Sequence, residues 1–180
     1  MSSYRRYFKD TNNPVFITIV TKNRRNILIE FIDNFKLSLK ESKDKFDFKL
    51  IACIVLRDHC HMLIQHKVIE KFPLIIRDIK YNFIQKLPNE FLKTIKLTES
   101  EQKRNEKGVW QRRYYDHIIR NEDDLKKHLD YIHYNSMKHY QISPKDWQFS
   151  SFKKFVQKNL YDENWCNFDD INKINEMNLE

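Results

Sequence analysis

The chain has 180 residues, with 33 Lys and Arg against 25 Asp and Glu, a formal charge of +8, and 41% hydrophobic and 14% aromatic residues. That composition supplies one domain with a core of its own and argues against global disorder. Its single glycine, Gly108, excludes a Walker loop, a dinucleotide-binding GxGxxG turn and a GxSxG hydrolase elbow, each of which needs two or more glycines. The charge is also uneven. Residues 161–180 hold six acids and one lysine, a local −5, so residues 1–160 carry +13. A basic body with an acidic tail suggests a polyanion such as nucleic acid as partner; a lysine-rich coding bias gives the same balance. Cys53, Cys60 and Cys166 are an odd number without CxxC spacing, which fits reduced thiols in a cytosol. No apolar stretch follows the charges of the first seven residues, so no signal peptide is expected, and no window approaches the length of a transmembrane helix.

In chain order, Val15 to Thr21 is β-branched and aromatic and reads as a strand. Ile27, Leu28, Phe31, Ile32, Phe35 and Leu39 recur at spacings of three and four, which predicts an amphipathic helix over 27–45. A second strand runs from Phe48 to Leu56, Arg57-Asp58 makes a tight turn, and 59–66 is a third strand. Residues 70–86 form a second helix. Residues 88–107 are polar and poorly periodic and read as a linker or mobile loop. Val109 to Ile119 is a fourth strand region. Asn121 is a good N-cap, and Glu122-Asp123-Asp124 place acids where the helix dipole favours them, so a last helix runs to about His139. An irregular part opens at Pro144 and Trp147. The first six elements give an α+β fold, the ferredoxin-like split βαβ arrangement with an antiparallel sheet and helices on one face, followed by a C-terminal helix. The domain boundary is expected at 158, with 159–180 as an acidic tail that folds back over a basic groove or packs elsewhere as a plain helix.

His59 and His61 are two residues apart in a strand, so both imidazoles stand on one face while Cys60, Met62 and Ile64 meet the core on the other. Such a pair is half of a metal site or two partly exposed histidines. On the last helix, at about 100° per residue, Leu125, Leu129 and Ile132 form the core stripe, and Asp124, His128, Tyr131 and Asn135 form one lateral polar row. Tyrosine is a competent oxygen nucleophile, and an amide oxygen suits Mg²⁺ or Mn²⁺. The same row also fits a helix flank with a half-buried Tyr and a solvated Asn. Tyr4, Arg5, Arg6 and Tyr7, and likewise Trp110, Arg112, Arg113, Tyr114 and Tyr115, mix cations with rings in the way that contacts phosphates and stacks on bases; alternate members of the strand, such as Tyr115 and His117, equally fit the core, and about half of each set is expected to be structural.

The residues from Val109 to Arg120, in one-letter code VWQRRYYDHIIR, together with His59-Cys60-His61, Asp130-Tyr131-Ile132-His133-Tyr134-Asn135, Lys138-His139, Trp147 and Ser150-Ser151-Phe152, resemble in colinear order the motifs of the REP-associated tyrosine transposases, within the HUH single-strand transposases. The resemblance spans about residues 4–155, opening on Tyr4-Arg5-Arg6-Tyr7. It implies a metal-dependent single-stranded DNA endonuclease and strand transferase acting on hairpin-forming repeats. In that reading His59, His61 and Asn135 hold one Mg²⁺ or Mn²⁺, and Tyr131 attacks the phosphate to leave a 5′-phosphotyrosine and a free 3′-OH. It implies residence in the bacterial cytosol with the nucleoid, as a monomer or homodimer. His66, His128, His133 and His139 are read as non-ligands. The chain departs from the family pattern at Cys60, where an aliphatic residue is usual, at Asn135-Ser136-Met137 in place of Asn-Pro-Val, which puts the helix end in doubt, and at Arg57-Asp58 in place of a proline-containing turn. Two rivals remain: a domesticated nucleic-acid-binding protein with little catalysis, and a small zinc enzyme using His59, Cys60 and His61.

Overall fold

The computed structural model of the chain describes residues 13–166; Tyr4, Arg5, Arg6, Tyr7 and the tail from residue 167 lie outside the described residues. Strand β1 (Val15–Val20) is followed by helix α1 (Ile32–Phe46), strands β2 (Lys49–Val55) and β3 (His59–Gln65), and helix α2 (Phe72–Lys86). Two short helices, α3 (Asn89–Lys93) and α4 (Glu99–Lys103), lead to β4 (Tyr115–Ile118), the long helix α5 (Glu122–Tyr140) and the short α6 (Phe152–Val156). The sheet order is β2-β3-β1-β4, every neighbouring pair antiparallel, which is the split βαβ arrangement.

The central strand β1 is buried on both faces, and its alternation divides the interior. Val15, Ile17 and Ile19 join Cys60, Met62 and Ile64 of β3 under α1 and α2, while Phe16 joins Leu63, Ile54 and α5 on the opposite face. Helices therefore cover both faces. α1 and α2 share one side as expected, and α5 covers the other together with the segment that follows it. Among the described residues no helix is long and apolar enough to cross a membrane.

Several expected boundaries shift for physical reasons. α1 starts at Ile32, not residue 27; the Leu28 amide before it donates to the Arg57 carbonyl at 2.9 Å and ties this stretch to the turn that precedes β3. It stops where Asp47 turns left-handed, φ 48°. The expected fourth strand is two pieces. Val109 to Gln111 pair with the end of β1, Gln111 N donating to Val20 O at 2.9 Å, and pairing resumes at Tyr115. The expected loop at 88–107 carries α3 and α4. α4 opens with a capping box in which Thr98 N donates to Glu101 Oε2 at 2.8 Å and Glu101 N donates to Thr98 Oγ1 at 3.3 Å, while Lys22 pairs with the same Glu101 carboxylate. The T-x-x-E spelling of that box was available in the sequence. Gly108 has φ +65°, and a Cβ there would meet Leu97 and Ile95 side chains at 2.6 and 2.8 Å, so the one glycine closes this segment onto the domain.

Candidate active site

The two histidines of β3 share one face, as their spacing predicts; that face lies under α5, and both rings are buried rather than partly exposed. His59 and His61 are 1% and 0% exposed. Their ring centroids lie 4.9 Å apart at 84°. Register places Thr18 of β1 opposite His61, and Thr18 Oγ1 lies 2.8 Å from His61 Nδ1. Asp58, in the turn before β3, holds His59 Nδ1 at 2.6 Å. A carboxylate that accepts the Nδ1–H leaves the lone pair on Nε2, which is the tautomer that binds a metal. The Nε2 atoms of both rings are buried. Burial pushes the Asp58 carboxyl up, but its hydrogen bonds to and the charges of His59 and Arg24 outweigh that and hold it below the usual range.

α5 brings the other half. Asn121 Oδ1 accepts the Asp124 amide at 2.9 Å, and the helix runs through Asn135-Ser136-Met137 without a break to a left-handed cap at Gln141. Its buried face is wider than the expected one, and Ile132 of the core stripe is fully buried. Leu125 and Leu129 are half-buried, whereas His128, Tyr131 and Asn135 of the polar row are buried against the sheet. Tyr131 meets the His61 ring at 5.2 Å and 76°, and the Phe16 ring at 6.0 Å. Eight residues on, His139 meets His59 at 4.9 Å. Asn135 lies midway between Tyr131 and His139 at four-residue spacing, hence on the same face. Asn135 is fully buried and donates to the Tyr131 carbonyl at 2.5 Å, and its Oδ1 has no hydrogen-bond partner among the described residues. Two buried imidazole nitrogens and one buried amide oxygen are neutral donors of the kind that suits a borderline-to-hard divalent cation. Sequence reasoning set His139 aside; its spacing from Tyr131 was the available signal. Lys138, named there within a motif but given no role, has its Nζ donating to the Tyr131 hydroxyl oxygen at 3.3 Å and 5.0 Å from its ring.

The polar row splits at Phe16. On its β4 side, His117 and His128 stack at 4.6 Å and 11°, and the Asp124 carboxylate bridges them, 2.8 Å from His117 Nε2 and 3.1 Å from His128 Nδ1. The ligating atoms of these three residues lie within 4.8 Å of one another, close enough to gather on a cation. Burial, reinforced by the neighbouring His117 charge, holds the His128 imidazole below its ordinary value against the pull of Asp124. This cluster lies apart from the predicted ligands.

Cys60 points into the α1/α2 core, 3.6 Å from Cys53 Sγ. The alternation of β3 thus takes the thiol away from the two imidazoles, and a zinc site built from all three loses its sulfur ligand. Of the DNA-binding candidates within the described residues, Arg112 and Arg113 are exposed and Tyr114 is half-buried. Trp110 corrects the expectation of a stacking platform. It is 9% exposed, packs on Phe83 at 5.3 Å and donates to the Lys80 carbonyl at 3.2 Å, so its ring is occupied by the core. Its edge still lines a groove of about 610 Å³ with Arg77, Lys80, Tyr81, Arg112 and Tyr114. Burial lowers the Lys80 ammonium to about 8.

Comparison with known proteins follows the same lines. The family model described as "Transposase IS200 like" matches residues 11–135. A REP-associated tyrosine transposase of Haemophilus influenzae is 37% identical over 168 residues, covering 92% of this chain and 93% of the relative. Its Escherichia coli counterpart is 29% identical over 169 residues, with 92% of each covered. A solved structure of a REP-associated tyrosine transposase bound to a REP hairpin superposes with a TM-score of 0.74 at 28% identity, covering 93% of this chain and 92% of that one.

Proposed function

The chain belongs to the IS200-like transposases and, within them, to the REP-associated tyrosine transposases, a class of DNA-cleaving and strand-transferring enzymes; from that premise we propose that it cuts and rejoins single-stranded, hairpin-forming DNA with Tyr131 as the nucleophile. His59, His61 and Asn135 would hold one Mg²⁺ or Mn²⁺. The observation that carries the reading is the contact of the Tyr131 ring with His61 at 5.2 Å on the buried face shared by β3 and α5. When bound, the cation supplies Lewis acidity to the scissile phosphate.

The chain's own residues do the rest. Asp58 and Thr18 orient the two imidazoles from behind. Tyr131 Oη forms a bond to phosphorus, the P–O3′ bond breaks with its electron pair going to O3′, and the 3′-oxygen takes up a proton while the phenol gives one to solvent. The products are a 5′-phosphotyrosine and a 3′-OH, and reversal with another 3′-OH joins strands. The covalent bond keeps the energy of the phosphodiester, so a nucleotide-binding site is unnecessary, in keeping with the single glycine. Arg112, Arg113 and Tyr114, with Tyr4, Arg5, Arg6 and Tyr7 outside the described residues, would hold DNA through phosphates and stacking, Trp110 contributing only its edge. The hairpin seen with the structural relative supports this class of ligand for the present chain. We place the activity in the bacterial cytosol, on nucleoid DNA, in a monomer or homodimer.

The test is a denaturing gel of protein with labelled single-stranded hairpin DNA and Mn²⁺. A covalent protein–DNA band is expected, and Tyr131→Phe should remove it while leaving hairpin affinity within about twofold, because one oxygen is lost and little contact area. A band that survives in Tyr131→Phe assigns the nucleophile elsewhere. Tight hairpin binding without any band, by the unaltered protein, favours a domesticated DNA-binding protein on the same scaffold.

A further inference from the structure

We propose that Lys138 is a catalytic residue of the strand-transfer reaction, its ammonium holding the Tyr131 hydroxyl oxygen and stabilising the negative charge that this oxygen carries as its bond to phosphorus forms and breaks. The proposal rests on Tyr131 being the nucleophile. Two contacts carry it: the hydrogen bond from Lys138 Nζ to Tyr131 Oη at 3.3 Å and the position of the same Nζ 5.0 Å from the ring centroid. Residues 131 and 138 are seven apart, about two helical turns, so both side chains leave the same side of α5. Lys138 is half-buried, with its charge held beside the reacting atom in advance of the reaction.

The chemistry gives that charge a task in both directions. In cleavage, Oη becomes bonded to phosphorus, the electron pair of the P–O3′ bond leaves with O3′, and the phenol proton passes to solvent as O3′ takes one up. In rejoining, a 3′-OH attacks phosphorus, the electron pair of the P–Oη bond returns to Oη, and a proton from solvent restores the phenol. Negative charge sits on Oη at the start of one step and at the end of the other. An ammonium has three donors and no lone pair, so Lys138 cannot ligate the cation. It serves as a fixed positive charge aimed where charge develops, and such a group acts most strongly when partly shielded from water.

The experiment compares unaltered protein, Lys138→Met and Lys138→Arg on a single-stranded DNA hairpin selected for affinity from a random-stem library. Single-turnover rates are read at saturating protein with Mn²⁺, for adduct formation and for rejoining. Lys138→Met should slow both steps by about 10- to 100-fold, the worth of a charge-assisted hydrogen bond, and leave hairpin affinity within about threefold. Unchanged affinity also reports that the variant is folded; Lys138→Gln replaces it if the methionine variant does not fold. Lys138→Arg should recover a large part of the rate. The proposal is overturned if Lys138→Met matches the unaltered rate at saturation and loses only affinity, which marks a plain phosphate contact. Equal losses in the Met and Arg variants, which mark packing, overturn it too. If the unaltered protein forms no adduct, the assignment of Tyr131 falls and takes this role with it; if the adduct forms and only the variant comparison fails, Tyr131 stands and Lys138 alone is dismissed.

Discussion

Asp58 shows how much one side chain outside the predicted set can decide. Its carboxylate, 13% exposed, holds His59 Nδ1 and thereby fixes which ring nitrogen is left to face the proposed cation. Asp58→Asn removes the charge and offers an amide that accepts or donates, so the tautomer is no longer dictated. Such substitutions typically cost about 10- to 100-fold in metal affinity. Calorimetry or electron paramagnetic resonance of Mn²⁺ with the isolated protein should show a loss of that size, and unchanged affinity would remove Asp58 from the site. At this scale, legibility followed geometry that is local in sequence. His59 and His61 were readable because a strand repeats every two residues, and Tyr131 with Asn135 because a helix brings i and i+4 together. Asp58 and Lys138 were not, because their roles depend on where β3 meets α5. Trp110 was misread because a ring among arginines looks the same whether it faces a base or Phe83.

Helix α5 is the element where sequence patterning and structure diverge most. Leu125, Leu129 and Ile132 marked a core stripe, of which Ile132 is fully buried and the leucines half-buried; the face carrying His128, Tyr131 and Asn135 is buried as well, because the sheet offers it Phe16 and His61 as partners. The opposite flank is sealed too. His133 is fully buried, its Nε2 2.9 Å from Ser151 Oγ, with Phe155 and Tyr161 rings at 4.7 and 5.1 Å. Burial alone drives this imidazole down to about 3. The unfolded chain takes up a proton near pH 6.5, the folded chain only near 3, so the unfolded state holds more protons in between. The neutral histidine's contribution to stability is whole above about pH 6.5 and is lost as the pH falls toward 3, by up to about 1.4 kcal/mol per pH unit. Urea midpoints at pH 7 and pH 5 should therefore differ less for His133→Gln than for the unaltered protein. An equal difference would show that His133 is not the group responsible.

On the scale of the molecule, the boundary expected at 158 runs through a packed cluster. Tyr161 donates to Asp130 at 2.6 Å and lies between Phe152 and Trp165, at 5.6 and 4.8 Å. Composition marked this stretch as tail because of its acids, of which Asp162 and Glu163 are exposed; the rings of Tyr161 and Trp165 made the opposite case. A chain ending at Lys158 loses both rings and the hydrogen bond, so it should be less stable than one ending at Cys166 by roughly 3 kcal/mol, read as a lower thermal midpoint; coincident melting curves would return residues 159–166 to the tail. Only against the longer chain does a comparison of cleavage rates speak to the acidic residues beyond. The return of the chain after α5 has one more effect. Phe149 to Ser151 lie along the outer border of β2, with Val55 N donating to Phe149 O and Ser151 N to Cys53 O, both at 2.8 Å. That border is closed over the stretch nearest the site, so a neighbouring molecule has no template there on which to add a strand. The opposite border is the four residues of β4 and the separate short pairing at 109–111, each too short to seed extended pairing. Among the described residues, the sheet thus leaves little open border near the site on which a second sheet could add.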